Sequence, residues 1–194
     1  LVYGPSKIKK KFKESDSINF DKINKFSGYK KNYAKSKIFI ENEFKNLAHE
    51  GFNVSIVRLF TFVGEKILHN KNYAVSNLID QAQNLKKKYL KISSPNDVYR
   101  GYMNSEDLIK WIIKIMNRSN NKCEIYNVGS DEIISIKKLA YLISNKYKKK
   151  IIFQNNSNSN NIDFYVPSIS KAKNKLNLKI NYKIRDSLRS LKII

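Results

Sequence analysis

Short β-branched runs, separated by segments of helical period, constrain this chain more than any other feature. NVSIVRLF at 53–60 is apolar, β-branched and too short for a helix, so it reads as a buried strand. Before it, Ile38, Phe44 and Leu47 recur at roughly helical spacing between about Asn32 and His49, and Glu50-Gly51 ends that run. After it, YAVSNLIDQAQNL predicts a helix over Tyr73–Leu85. Tyr89–Ile92, Tyr99–Met103, Cys123–Val128 and Lys149–Phe153 read as further short extended runs. Ser105 is placed to cap EDLIKWIIKIMN, with acids in its first turn, and Ser135 to cap a helix to about Tyr147. Two more helical pieces are expected near Ser168–Leu176 and Lys183–Leu191. Residues 5–31 are polar and lysine-rich and read as a surface loop, and QNNSNSNN at 154–161 reads as a low-complexity loop. Helices alternating with short apolar strands predict an α/β fold.

Charge separates two function classes. The formal net charge of +22 invites a nucleic-acid or anionic-surface reading. Lysine, however, supplies 33 of the 38 basic residues, and a nucleic-acid interface favours arginine for bidentate phosphate and base contacts. Lysine, asparagine and isoleucine are all abundant, which is the bias that A/T-rich codons produce across a whole proteome. The excess charge is therefore read mainly as compositional drift, with a nucleic-acid partner the less favoured alternative. Cys123 stands alone, so no internal disulfide forms, and it is expected to pack as a small apolar residue in its strand. With only His49 and His69 as histidines, no metal-ligand spacing exists. No run reaches the roughly 20 apolar residues of a membrane span, and LVYGPSK is not a secretory signal, which sets the expectation of a cytoplasmic protein.

One pair carries candidate chemistry. Tyr33 and Lys37 stand at i and i+4 and so share a helix face. A tyrosine is a poor base at its reference pKa of about 10, and an ammonium held beside it favours the phenolate. Such a pair can remove a proton from a hydroxyl. In a chain with 12 tyrosines and 33 lysines the spacing also arises by chance, so its neighbours in sequence must decide.

Those neighbours resemble one family. Val2-Tyr3-Gly4, Tyr33-Ala34-Lys35-Ser36-Lys37 with Glu41 or Glu43 following, and Val57-Arg58-Leu59-Phe60 with Val63-Gly64 come in order. Tyr99-Arg100-Gly101-Tyr102 with Asp107-Leu108, Tyr126-Asn127-Val128-Gly129 with Ser135-Ile136 and Leu139-Ala140, and Tyr165-Val166-Pro167 with Ser170-Lys171-Ala172 follow. Together they resemble the extended short-chain dehydrogenase/reductases that act as NAD-dependent nucleotide-sugar epimerases and dehydratases, although Ser168 replaces the usual aspartate of the last motif. The resemblance covers nearly the whole chain.

It implies the C-terminal part of a Rossmann-like, doubly wound parallel sheet plus a small α/β substrate-binding domain. Residues 1–65 would be the remnant of the dinucleotide-binding domain, 66–98 the first segment of the substrate domain, 99–130 a return to the Rossmann sheet, and 131–194 the last substrate-domain segment. It further implies Tyr33 as general base and Lys37 as its partner, both also touching the cofactor, NAD or NADP. Leu59 and Phe60 would line the nicotinamide pocket. Thr61, Asn77 and Arg100 would contact a nucleotide-diphosphate sugar, Arg100 through the forked charge that suits a diphosphate. A homodimer is possible within the family.

The family's other half is not legible. The six glycines, at 4, 28, 51, 64, 101 and 129, make no glycine-rich turn of the kind that seats a pyrophosphate at a helix N-terminus. The family's catalytic serine or threonine lies just upstream of the motif that opens this chain. The expectation is an N-terminally truncated chain, inactive alone, with an exposed apolar surface where further parallel strands would pair. Leu1, where dehydratases usually place glutamate, resembles epimerases and reductases more. The rivals to this reading are a basic nucleic-acid-binding protein and a non-catalytic degenerate relative.

Overall fold

The computed structural model describes residues 2–4, 6–66, 73–94, 97–153 and 161–194. Leu1 and nearly all of the 154–161 loop lie outside the described residues.

The apolar run at 53–60 forms β1 (Ser55–Leu59), which pairs in parallel with β6 (Glu124–Val128), Ser55 opposite Glu124 and Leu59 opposite Val128. The connection between them carries the other elements of this half. β2 (Phe62–Val63) pairs in parallel with β5 (Met103–Asn104), directly ahead of α4 (Ser105–Met116). Asn104, one residue before the expected cap, takes the N-cap role by accepting from the Glu106 amide. Leu108, Trp111 and Ile115 of α4 then pack with Tyr126 and Val128 of β6 and with Ala172 and Leu176 of α6 (Ser170–Leu176).

A second core lies around α3 (Ala74–Gln83) and α5 (Ile136–Tyr147), which cover the parallel pair β3 (Tyr89–Ile92) and β8 (Lys150–Phe153). Ser135 caps α5 as expected, accepting from the Lys138 amide. α7 (Ile184–Ser190) adds Ile184 and Leu188 to the same core. A three-stranded sheet places β4 (Asp97–Arg100) between β7 (Ile134–Ser135, antiparallel) and β9 (Ile162–Tyr165, parallel). Asp107, fully buried at the start of α4, accepts from the Asn181 and Tyr182 amides and from the Asn181 side chain, so its charge is spent on fixing the turn before α7.

The N-terminal segment departs from the loop expected of it. Residues Phe20–Asn24 form α1, capped by the Asn19 side chain, which accepts from the Lys22 amide, and Ile23 is fully buried. α2 (Gly28–His49) starts four residues earlier than its apolar period shows, because its first turn faces solvent. With Val2, Tyr3 and Phe60 these helices close a third core. Cys123 is not a strand residue packed in the core. It precedes β6 in a left-handed conformation (φ 50°) and is half-buried.

Two glycines of the quoted motifs mark close approaches, Gly101 to backbone and Gly129 to side chains. A Cβ at Gly101 would collide with the Ser130 carbonyl oxygen, and one at Gly129 would lie 2.8 Å from Phe60 Cβ. Backbone cannot yield as a flexible side chain does, so Gly101→Ala is expected to cost about 3 kcal/mol or more. Urea unfolding checks this, and an unchanged midpoint would show that the 101–102 turn relaxes freely.

Candidate active site

α2 presents Tyr33, Lys37 and Glu41 at successive four-residue steps on one face. Tyr33 is 38% exposed. The Lys37 ammonium nitrogen lies 5.5 Å from the centre of the Tyr33 ring, within reach of a cation–π contact. The Tyr33 carbonyl accepts from Ser36 Oγ at 2.9 Å. Both Tyr33 and Lys37 line a cavity of about 510 Å³ between this face of α2 and residues 53–59 along β1.

That cavity follows a strand edge. β1 pairs only with β6 among the described residues. The Phe60 amide donates to the Val128 carbonyl at 2.9 Å, so the alternation of a strand turns the backbone amides of Ile56 and Arg58 toward β6 as well and those of Val57 and Leu59 toward the open edge. Ile40 and Phe44 of α2 and Leu59 of β1 stand exposed around the cavity. Ile40, Phe44 and Leu59 thus form an exposed apolar surface beside the edge of β1 that carries no partner strand among the described residues.

Below the exposed pair, α2 is tied to the sheet by buried charge. Glu41 and Arg58 are 6% and 8% exposed. Arg58 donates through Nε to Glu41 Oε1 at 2.9 Å and through Nη2 to Oε2 at 2.8 Å, a two-pronged pair. Its third nitrogen, Nη1, donates to the Tyr3 hydroxyl at 2.6 Å. Tyr3 in turn donates to Asn127 Oδ1 at 2.8 Å, and Asn127 Nδ2 donates to the Phe12 carbonyl at 2.9 Å. Burial works against the Arg58 charge, but the hydrogen bonds to Glu41 and Tyr3 outweigh it and raise the arginine's pKa. Burial raises the Tyr3 pKa despite the Arg58 contact.

The other residues singled out in sequence occupy separate places. Leu59 reaches the cavity, whereas Phe60 turns into the core and stacks on Tyr165, with ring centres 4.6 Å apart. Thr61 is half-buried between β1 and β2, its carbonyl accepting from the Met103 amide. Asn77, exposed on α3, lines a different cavity of about 550 Å³ with Gln81, Lys87, Lys88, Tyr89 and Lys91. Gln81 organises it, donating to Asn77 Oδ1 at 2.6 Å and exchanging hydrogen bonds with the Lys91 backbone. Arg100 lines neither cavity. It donates to Asp163 Oδ2 and to the Asp163 carbonyl, each at 2.9 Å, whereas Asp97 pairs with Lys137. Asp163 Oδ1 is buried without a hydrogen-bond partner. Sequence reasoning missed Gln81, Asp163 and the pairing of Glu41. Gln81 stands one helical turn after Asn77, and Glu41 one turn after Lys37, a spacing that marks a shared helix face but names no partner across the fold.

Exposed lysines stand on α2, α4 and α5 and after α3, so helices from all three cores carry them, and no single helix gathers the charge. Among the described residues no helix is long and apolar enough to cross a membrane, and no three His, Cys, Asp or Glu side chains are grouped to hold a metal ion.

With the parallel β1–β6 pair, α2 packed along it and a second helix-and-strand core beyond, the chain has the fold of the NAD-dependent sugar epimerases and dehydratases of the short-chain dehydrogenase/reductase class. Among solved structures it is similar to dTDP-glucose 4,6-dehydratase from Bacillus anthracis in complex with NAD (16% identity, TM-score 0.75, covering 98% of this chain and 57% of that one). It is also similar to Pal from Bacillus thuringiensis (23%, TM-score 0.75, 98% and 58%). UDP-glucuronic acid 4-epimerase from Bacillus cereus in complex with NAD resembles it at 21% identity and TM-score 0.69, covering 96% and 54%. The chain thus spans little more than half the length of these proteins. No protein-family model and no curated protein sequence matches it.

Removing one partner of a buried ion pair leaves the other charge stranded. Glu41→Ala is therefore expected to cost about 3–5 kcal/mol, far more than Glu43→Ala on the exposed face. Denaturant unfolding of the two variants checks it, and equal losses would contradict the reading of Glu41 as the anchor of α2.

Proposed function

We propose that this chain is the substrate-binding part, with the Tyr/Lys half of the active site, of an NAD(P)-dependent nucleotide-sugar epimerase or dehydratase. The observation that carries the reading is the placement of Tyr33 and Lys37 together on the cleft beside the open edge of β1, in the fold described above. Tyr33 is the general base: its phenolic oxygen takes the proton of a sugar hydroxyl. Lys37 holds the negative charge that Tyr33 carries as a base.

The residues here fit the nicotinamide end of a dinucleotide, NAD or NADP. Tyr33, Lys37 and Leu59 share one cavity with an apolar wall from Ile40 and Phe44. They do not fit its pyrophosphate, for which the sequence offers no glycine-rich turn. When bound, the dinucleotide supplies the hydride acceptor. Leu59 shields the reacting carbon from water, and Phe60 holds Leu59 in place through its stack on Tyr165.

The substrate is a nucleotide-diphosphate sugar of the kind carried by the UDP-glucose and UDP-glucuronic acid complexes of the similar protein MoeE5. Asn77 and the lysines around it form the polar pocket for the nucleotide. Arg100, and Thr61 beside β2, serve the diphosphate and the sugar. Arg100 does so by giving up part of its pairing with Asp163, whose second oxygen is already unsatisfied.

The open edge of β1 supports a further strand-bearing half that covers it in the working enzyme, and the chain alone is expected to be inactive. Titration calorimetry of the isolated chain with NAD and NADP is expected to give no binding tighter than millimolar. Micromolar binding would overturn the half-site reading. In the completed enzyme, Tyr33→Phe is expected to reduce turnover by roughly 10²–10⁴-fold at unchanged folding, the scale of a lost general base.

A further inference from the structure

The buried Arg58–Glu41 pair has a property that stability does not explain. Burying two charges is costly, and apolar residues of similar volume hold a helix on a strand as well or better. What an apolar contact lacks is direction. A guanidinium meeting a carboxylate through two parallel hydrogen bonds accepts one planar arrangement and no other. Here the carboxylate sits on α2, one turn past Lys37 and two past Tyr33, and the guanidinium sits on β1. Each helical residue turns the face by about 100°, so any rotation that the fork forbids at Glu41 is forbidden equally at Tyr33 and Lys37.

The fork is itself held. Its third nitrogen donates to the Tyr3 hydroxyl, which donates to Asn127 on β6, whose side chain donates to the Phe12 carbonyl. Tyr3 and Asn127 are 2% and 0% exposed, so the chain of donors runs through the core and ends on backbone. Asn127 is fixed a second time, its amide donating to Glu14 Oε1 at 2.8 Å. Tyr3, Arg58 and Asn127 belong to three of the motifs quoted above, and none was read there as acting on the Tyr33–Lys37 pair.

We propose that Arg58 and Glu41 are positioning residues: they fix the rotation of α2 about its own axis and so aim Tyr33 and Lys37 into the cleft along β1. The proposal rests on the reading of Tyr33 and Lys37 as the reacting pair, but the orientation it asserts can be measured without any reaction.

Residual dipolar couplings of the α2 amides vary periodically along the helix, and their phase reports its rotation relative to β1 and β6. In the full chain, Glu41→Leu with Arg58→Met removes the fork while keeping the site filled. The expected result is a melting temperature within about 10 °C of the parent and a phase shift beyond the ~20° scatter of helix packing. Glu41→Gln, which keeps the shape and weakens one arm, is expected to shift the phase in the same sense by less, and it decides the question if the double variant does not fold. An unchanged phase in a folded variant would overturn the proposal and leave the pair a plain stabilising contact. A shifted phase together with a completed enzyme indifferent to Tyr33→Phe would sink the catalytic reading instead, while keeping the pair as a device that orients α2.

Discussion

Arg58 and Glu41 bring two opposite charges into a core where neither could stand alone, and the arrangement of the N-terminal third follows from satisfying them. The arginine has three arms: two end on α2 through Glu41, and the third ends on Tyr3 and through it on β6. α2 is only weakly amphipathic. It buries Ala34, Ile38, Glu41 and Ala48 and leaves Phe39, Ile40, Phe44 and Leu47 exposed. A helix with so little apolar surface in contact needs a directional tie to lie in one orientation. The aromatic stack of Phe12, Tyr3, Phe60 and Tyr165 fills the space around that tie and keeps water from it.

The other two cores are of a more ordinary kind. α3 and α5 cover the β3–β8 pair with aliphatic residues at helical spacing, and α4 lays Leu108, Trp111 and Ile115 on β6. Polar residues there act as pins. Gln81 fastens α3 to β3, and Asp107 fastens the start of α4 to the chain entering α7. The surfaces expected to meet a nucleotide sugar are mounted on these pinned elements, Asn77 on α3 and Arg100 on β4.

Elements whose evidence is local could be read from sequence. β3 ends where the apolar run ends, and the Ser135 cap fixes the start of α5. Neighbouring cap residues could not be told apart: Asn104 and Ser105 both suit an N-cap, and backbone geometry chose Asn104. α1 was missed because a five-residue helix with one buried side chain carries no period. β9 was missed because Asp163 interrupts its apolar pattern and its partner β4 is some sixty residues away in the chain. The candidate site divides the same way. Tyr33–Lys37 is a local spacing that sequence could single out, and the structure places both residues on one cavity. The partners of Arg58 and Arg100 are side chains brought close only by folding, so neither Glu41 nor Asp163 could be assigned to its arginine beforehand.

The proposed function rests on a half-built site: a Tyr–Lys pair on the cleft along the open edge of β1, which we propose a further segment covers. Amide hydrogen exchange along β1 of the isolated chain tests this most directly. The backbone amides of Ile56 and Arg58 point to β6 and are expected to be protected, whereas those of Val57 and Leu59 point to the open edge and are expected to exchange rapidly. Equal, strong protection of all four would mean that the edge is already covered, and would contradict the half-site on which the proposed function stands.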